Sequence, residues 1–168
     1  MPLPLSAITR SKDDLANTLR HFVPGDTNAK RLENIRALKD AIQRIGNADP
    51  DAGRARLALA NEEIAANLFQ EAAVEYDIVA HLPDPRGNIR IQAYEGRLAA
   101  LANTNDYAAT AAYAAQLQRM PDAVSMRAEA KRDEALYRRM ASLRADGGLS
   151  DAMSRYHDYQ QKNRQATG

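Results

Sequence analysis

The residues that could carry catalysis are few, and their spacing forms no known catalytic pattern. The three histidines, His21, His81 and His157, lie far apart, and none belongs to an H-E-x-x-H sequence. The chain has no cysteine, which excludes a thiolate metal site and a cysteine nucleophile. It also lacks the glycine-rich phosphate loops and the G-x-S-x-G nucleophile motif. We therefore predict no enzymatic activity, no catalytic residue, no cofactor and no metal.

Two groups of acidic residues are the remaining candidates for acid–base or metal chemistry. Glu62 and Glu63 are adjacent, and Glu71 and Glu75 are spaced to share one face of a helix. Metal sites in helical bundles combine glutamates with Glu-x-x-His pairs on facing helices, and this chain contains no such pair. We therefore expect a solvated acidic face at these positions.

Composition indicates which elements position these residues. Alanine occupies 33 of the 168 positions, whereas valine and isoleucine together occupy 12. Alanine favours the helix, and strands favour β-branched residues. No apolar run approaches the ~20 residues that span a bilayer, and the N-terminal segment lacks the features of a secretory signal. We expect a soluble cytoplasmic protein with no membrane association.

The charge is nearly balanced overall but uneven along the chain. The net formal charge of +1 divides into +3 for residues 1–48, −5 for 49–87, 0 for 88–123 and +3 for 124–168. Acids interrupt the basic residues of the last segment, which argues against a phosphate-binding face and hence against nucleic acid as a partner. The acidic and basic segments could instead pair head to tail between subunits, so a homo-oligomer stays possible.

Turn residues divide the chain into helical segments. Leu32, Ile35, Leu38, Ile42 and Ile45 step by three or four residues, which predicts an amphipathic helix. This helix begins near the candidate caps at 26–28 and ends at the glycine at position 46. A shorter helix is predicted before it over 11–21, with a serine cap at position 11 and a stop at the proline at position 24.

From residue 51 onward a longer pattern recurs three times. Phe69, Tyr107 and Leu149 each follow a turn that contains asparagine or glycine, and they lie 38 and 42 residues apart. A small residue follows each of them three positions later. The helix predicted before each turn also has matching residues at relative positions 0, 4 and 7, which are Leu57, Asn61 and Ile64, then Tyr94, Leu98 and Leu101, then Leu136, Met140 and Leu143. The repeated unit is therefore helix, tight turn, helix. Stacking such hairpins buries apolar faces that one hairpin cannot bury alone.

This pattern resembles the tetratricopeptide repeat (TPR). The segment 67–76, closed by Pro83, is similar to the second helix of that family, and the segment from Asn105 to Pro121 is a looser copy. The resemblance implies an all-α fold in which antiparallel helical hairpins stack as a short TPR-like α-solenoid of about seven to eight helices. The expected organisation is an N-terminal arm and capping helix pair over 1–48, three hairpins over 49–163 and a flexible tail over 164–168. A general helical array or bundle is the alternative.

The resemblance also implies a function. Proteins of this family bind a short peptide or a partner helix on a surface lined by the first helix of each pair. Carried over by position, the partner-binding residues would be Glu62, Gln92, Glu95, Tyr137 and Arg144. We therefore expect a non-enzymatic protein–protein interaction module, such as an adaptor, a scaffold or a chaperone-like protein. The alternative is a structural subunit of a larger homo-oligomeric assembly, such as a viral shell or a secretion apparatus.

Overall fold

The computed structural model describes residues 14–84 and 87–166. In this part the chain forms helices joined by turns and contains no β-strand, which confirms the all-α prediction. Contacts between residues divide the chain into two compact units, which we name unit 1 (residues 1–104) and unit 2 (residues 105–168).

The described part of unit 1 consists of five helices. They are α1 (Leu15–Arg20), α2 (Asn28–Ile45), α3 (Ala52–Ala65), α4 (Phe69–His81) and α5 (Ile89–Asn103). Each helix packs against the next one along the chain, and α3 also contacts α1 and α5. Because α3 touches all four other helices, it lies at the centre of this unit.

The described part of unit 2 consists of three α-helices and one 3-10 turn. They are α6 (Tyr107–Leu117), the 3-10 turn Val124–Met126, α7 (Arg127–Ala145) and α8 (Leu149–Ala166). Helix α7 packs along α6, whereas α8 makes few contacts with α7. The described residues thus hold eight α-helices, in agreement with the seven to eight that were predicted. Helix α8 extends into the segment 164–168, for which a flexible tail was expected.

The three predicted tight turns lie between α3 and α4, α5 and α6, and α7 and α8, and each is three residues long. Asn67 and Asn105 have φ of 62° and Gly147 has φ of 72°. This left-handed conformation is strained for most residues but accessible to asparagine and glycine. In the first turn the Leu68 N–H donates to the Glu63 carbonyl at 2.8 Å, as in a Schellman motif. The helices that follow these turns, α4, α6 and α8, begin at the predicted residues Phe69, Tyr107 and Leu149.

The helix caps near the N-terminus agree in part with the sequence prediction. The Thr27 side chain accepts a hydrogen bond from the Lys30 N–H, and Gly46 ends α2 with φ of 89°. Helix α1 begins at Leu15 and is capped by Asp14, whose carboxylate accepts from the Asn17 N–H at 2.8 Å. The predicted serine cap at position 11 and the N-terminal arm lie outside the described residues, which begin at position 14.

Unit 1 contains two apolar clusters, one on each side of α3. The first joins α1, α2 and α3, and the second joins α3, α4 and α5. The second cluster contains several alanines, which allow the helix axes to approach closely. Its members are Leu57, Ala60, Ala72, Ala73, Tyr76, Val79, Ala93 and Ala100.

The closest approach between α4 and α5 lies at Tyr76 and Gly96. A Cβ atom at position 96 would lie 2.4 Å from two carbons of the Tyr76 ring. The ring is only 2% exposed, and its hydroxyl donates a hydrogen bond to Asn61 Oδ1 on α3 at 2.6 Å. Tyr76 therefore links three helices, and α5 requires a glycine where it crosses the ring.

Not all apolar residues of the predicted repeats are buried. Leu136 begins the apolar series predicted for α7, yet it is 51% exposed.

Across the segments 14–84 and 87–166, the structure shows no helix that combines the length and the apolar character needed to cross a membrane.

Candidate functional site

Unit 1 contains a cleft of about 720 Å³, which we name the α3 cleft. Its volume falls within the range of about 300–1,000 Å³ that is typical of ligand sites. One face of α3 forms its floor, because the lining residues of this helix recur every three or four positions. These residues are Arg54, Leu57, Ala58, Asn61, Glu62 and Ala65.

Segments distant in sequence form the walls of the α3 cleft. One wall comes from α1 and the loop after it, with Leu19, Phe22, Pro24 and Gly25, and from Arg31 in the first turn of α2. The two residues that precede α3, Pro50 and Asp51, also line the cleft. The opposite wall comes from the loop before α5 and from its first turn, with Asp84, Asn88, Ile89 and Gln92.

Glu62 holds the loop of the first wall in place. Its carboxylate accepts hydrogen bonds from the Gly25 N–H at 3.2 and 3.3 Å and from Asn34 Nδ2 at 3.1 Å. Asn34 also donates to the Val23 carbonyl at 2.9 Å. The Glu62 side chain therefore connects α3 to α2 and to the loop, and the residue is only 4% exposed.

Glu63 is buried completely, with 0% exposure. Neither of its carboxylate oxygens has a hydrogen-bond partner in the described part of the chain. Lys39 Nζ on α2 lies 4.0 Å from Oε2. Burial raises the pKa of the Glu63 carboxyl from 4.5 to about 7; the Lys39 charge lowers it, whereas the Glu75 and Glu71 charges raise it further.

The prediction of a solvated acidic face is therefore wrong for Glu62 and Glu63. Because α3 is packed against four other helices, adjacent residues on it both face protein rather than solvent. Of the other pair, Glu71 and Glu75, only Glu71 lies on a solvated face as predicted. Glu71 is exposed, whereas Glu75 is partly buried and accepts a hydrogen bond from Arg56 Nη1 at 2.7 Å.

Most charged groups that line the α3 cleft already have partners within the protein. Arg54 Nη1 lies 3.1 Å from Asp51 Oδ1. The Asp84 carboxylate accepts from the backbone N–H groups of Gly87 and Arg90 at 3.0 and 2.9 Å. Arg31 differs, because its Nε is buried and no described residue provides a hydrogen-bond partner for it. Among the described residues no carboxylate pairs with Arg31, so its positive charge is the one in the lining that is not offset by a neighbouring acid.

The predicted partner-binding residues of unit 1 lie at different places. Glu62 and Gln92 both line the α3 cleft, on its floor and on the α5 wall. Glu95 is exposed on α5 and does not line this cleft. The Glu62 carboxylate is hydrogen-bonded to the Gly25 N–H and to Asn34, so Glu62 holds the wall of the cleft in position. The Gln92 side chain is more exposed than that of Glu62.

The other two predicted residues, Tyr137 and Arg144, lie in unit 2 and both contact Tyr107. The Tyr137 ring stacks on the Tyr107 ring with centroids 6.0 Å apart, and the Arg144 guanidinium lies 4.2 Å from the Tyr107 ring centroid. Arg144 also donates to the Asn105 carbonyl. Burial raises the pKa of the Tyr137 hydroxyl, and the charges of Asp133 and Tyr107 add to this effect. In this unit, both residues fix the beginning of α6 against α7.

Apart from Gln92, the sequence prediction missed the residues that form the walls of the α3 cleft. Phe22 and Arg31 were not identified because their positions depend on how α1 and α2 pack against α3. The residues of the floor could have been placed on one face of a helix from the sequence, since Arg54, Ala58 and Asn61 recur at helical spacing. That spacing alone does not show which side of α3 stays open.

The described residues contain no group of three or more histidine or acidic side chains placed to hold a metal ion. No protein-family model, curated protein or solved structure matches this chain.

Proposed function

We propose that this chain is a non-catalytic, TPR-like interaction module that binds a peptide or helix of a partner protein in the α3 cleft. The observation that carries the proposal is the construction of the cleft. One face of α3 stays open between two walls, although the same helix is packed on its other sides.

The lining of the α3 cleft suits a peptide with mixed chemistry. Phe22, Leu57 and Ile89 supply apolar surface against which side chains of a ligand can be buried. Gln92 and Arg31 supply hydrogen-bond donors that orient a bound segment. A few polar groups within an apolar lining are typical of specific binding sites.

The cleft acids support binding rather than catalysis. A general base must reach the substrate proton that it removes, whereas a carboxylate that accepts hydrogen bonds from the surrounding loops serves to position those loops. The carboxylates of Glu62 and Asp84 accept hydrogen bonds from groups of the protein itself. Glu63, whose pKa is raised to about 7, does not line the cleft.

A substitution that fills the cleft tests the proposal. Ala65 is exposed at the end of α3 and lines the cleft, so Ala65→Trp should obstruct it without disturbing the core. Ala99→Trp is the matched control, because Ala99 is exposed on α5 and lies outside the cleft lining. The assay is quantitative affinity purification from the source cell extract, followed by titration calorimetry with the purified partner.

We expect the native chain and Ala99→Trp to bind the same partner, and Ala65→Trp to bind it about tenfold or more weakly. Arg31→Gln should also weaken binding, because it removes the charge from the first wall. Equal affinity of Ala65→Trp and Ala99→Trp for the partner would contradict the proposal. Circular dichroism of all variants confirms that the helices are retained.

A further inference from the structure

Two side-chain amides line the α3 cleft, and each is oriented by a hydrogen bond to another residue of unit 1. Asn61 lies on the floor and Gln92 on the α5 wall, and both residues are exposed. Asn61 Oδ1 accepts a hydrogen bond from the Tyr76 hydroxyl at 2.6 Å. Gln92 Nε2 donates to the Asn88 carbonyl at 3.3 Å. Neither amide makes another hydrogen bond within the described residues.

The buried hydroxyl of Tyr76 decides which atom of the Asn61 amide faces the protein. Within the described residues this hydroxyl has no other hydrogen-bond partner. If Asn61 presented Nδ2 to it, the hydroxyl proton would be buried without an acceptor, which is costly. Oδ1 in this place accepts that proton. Because the close approach of Gly96 holds the ring in position, the Asn61 Nδ2 is the part of the amide that is left for a ligand in the cleft.

The Gln92 amide is oriented in the opposite sense. A backbone carbonyl only accepts hydrogen bonds, so Nε2 must face the Asn88 carbonyl, and Gln92 Oε1 is left for a ligand. The α3 cleft therefore offers a donor on its floor, Asn61 Nδ2, and an acceptor on its α5 wall, Gln92 Oε1.

This donor and acceptor match the backbone of an extended peptide. The N–H and C=O groups of an extended segment need partners outside the segment, whereas those of a helix are already bonded to each other. A neutral carbonyl also fits the donor better than a carboxylate does, because the described lining residues include three acids and two arginines.

We infer that Asn61 is a ligand-binding residue of the α3 cleft, positioned by Tyr76, and that its Nδ2 donates to a main-chain carbonyl of an extended partner segment. Gln92 Oε1 accepts from a main-chain N–H of the same segment. This inference rests on the proposed function and narrows its ligand from a peptide or helix to an extended peptide. Tyr76 is only 2% exposed and acts through Asn61 as a positioning residue.

The probe for this inference is a linear peptide selected from a random library displayed on phage by panning against the native full chain. Peptides that lose binding to Ala65→Trp are the ones that bind in the cleft. Their affinities for Asn61→Ala, Asn61→Asp and Tyr76→Phe are measured by titration calorimetry. Asn61→Asp removes the donor but keeps an acceptor for the Tyr76 hydroxyl. Asn103→Ala is the matched control, because Asn103 is exposed at the end of α5 and outside the cleft lining.

The same peptides are also synthesised with single esters in place of main-chain amides. An ester carbonyl is a weaker hydrogen-bond acceptor than an amide carbonyl, so this series locates the carbonyl that meets Asn61.

We expect Asn61→Ala and Asn61→Asp to weaken binding about three- to tenfold, and Asn103→Ala to leave it unchanged. Tyr76→Phe should weaken binding about threefold in the native chain and have no further effect when combined with Asn61→Ala, because it acts through the amide. One ester should weaken binding to the native chain and have no effect on binding to Asn61→Ala.

Three results would overturn the inference and leave the proposed function intact. They are cleft-directed peptides that bind the native chain and Asn61→Ala equally, an effect of Tyr76→Phe that is the same with and without Asn61→Ala, and an ester series in which no position depends on Asn61. If no selected peptide is sensitive to Ala65→Trp, the proposed function itself fails, and the inference fails with it. Amide NMR spectra of the variants show that each one is folded.

Discussion

Replacing Glu63 with glutamine should change how the stability of unit 1 depends on pH. The carboxyl is buried without a hydrogen-bond partner among the described residues, and burial raises its pKa from 4.5 to about 7. Between these values the folded chain binds a proton that the unfolded chain releases. Stability from this group is therefore fully present below about pH 4.5, and it is lost as the pH rises through about 7.

The size of the effect follows from the difference between the two pKa values. Each unit of difference corresponds to about 1.4 kcal/mol, so the shift of Glu63 corresponds to about 3 kcal/mol between the acidic and alkaline limits. Glu63→Gln has no proton to lose in this range. Between pH 5 and pH 8 its free energy of unfolding should therefore fall by about 2–3 kcal/mol less than that of the native chain.

Two measurements check this prediction. Urea denaturation followed by circular dichroism between pH 5 and pH 8 gives the pH dependence, with Glu33→Gln, an exposed glutamate of α2, as the matched control. Carbon-13 NMR of the Glu63 carboxyl gives its pKa directly, and Lys39→Met should raise that value, because the Lys39 charge lowers it. An identical pH dependence in Glu63→Gln and the native chain, or a Glu63 midpoint below pH 5, would refute the reasoning.

Two further predictions concern the helix packing and the turns. Gly96→Ala should lower the free energy of unfolding by about 1–2 kcal/mol despite the better helix propensity of alanine, because its Cβ would lie 2.4 Å from the Tyr76 ring. Urea denaturation measures this effect. The double variant Gly96→Ala, Tyr76→Leu should recover part of the lost stability. If Gly96→Ala were more stable than the native chain, the clash with the ring would be excluded. Asn67→Ala should cost about 1 kcal/mol and Asn67→Gly should cost nothing or stabilise, because φ is 62° at this position. Thermal unfolding distinguishes the two, and equal midpoints would show that the left-handed turn is not retained.

Much of the local structure could be predicted from the sequence, because it depends on the chemistry of adjacent residues. Helices α4, α6 and α8 begin at the predicted residues, since the turn before each of them contains a residue that tolerates positive φ. Thr27 and Gly46 bound α2 for similarly local reasons. Helix α8 was placed correctly by the same argument, but the exposure of its tyrosines was not anticipated, because a periodic pattern does not show whether a covering helix is present.

The candidate site was predicted less completely. Gln92 was identified through the family resemblance and lies on the wall of the α3 cleft. Tyr137 and Arg144 were identified in the same way, but in unit 2 they contact Tyr107 and support α6. Arg31 was missed, because its place at the cleft depends on the packing of α2 against α3.

The sequence by itself determined that the described part of the chain is helical and where the tight turns between its helices lie. These properties follow from alanine content, from apolar spacing and from residues that accept a left-handed backbone, all of which act over a few positions. The tertiary structure alone decided which acids are buried and where a cleft stays open. Glu62 meets the Gly25 N–H across 37 residues of chain, and Glu63 meets Lys39 on a different helix. Burial and charge pairing depend on such distant neighbours, which is why two adjacent glutamates of similar sequence context have different environments.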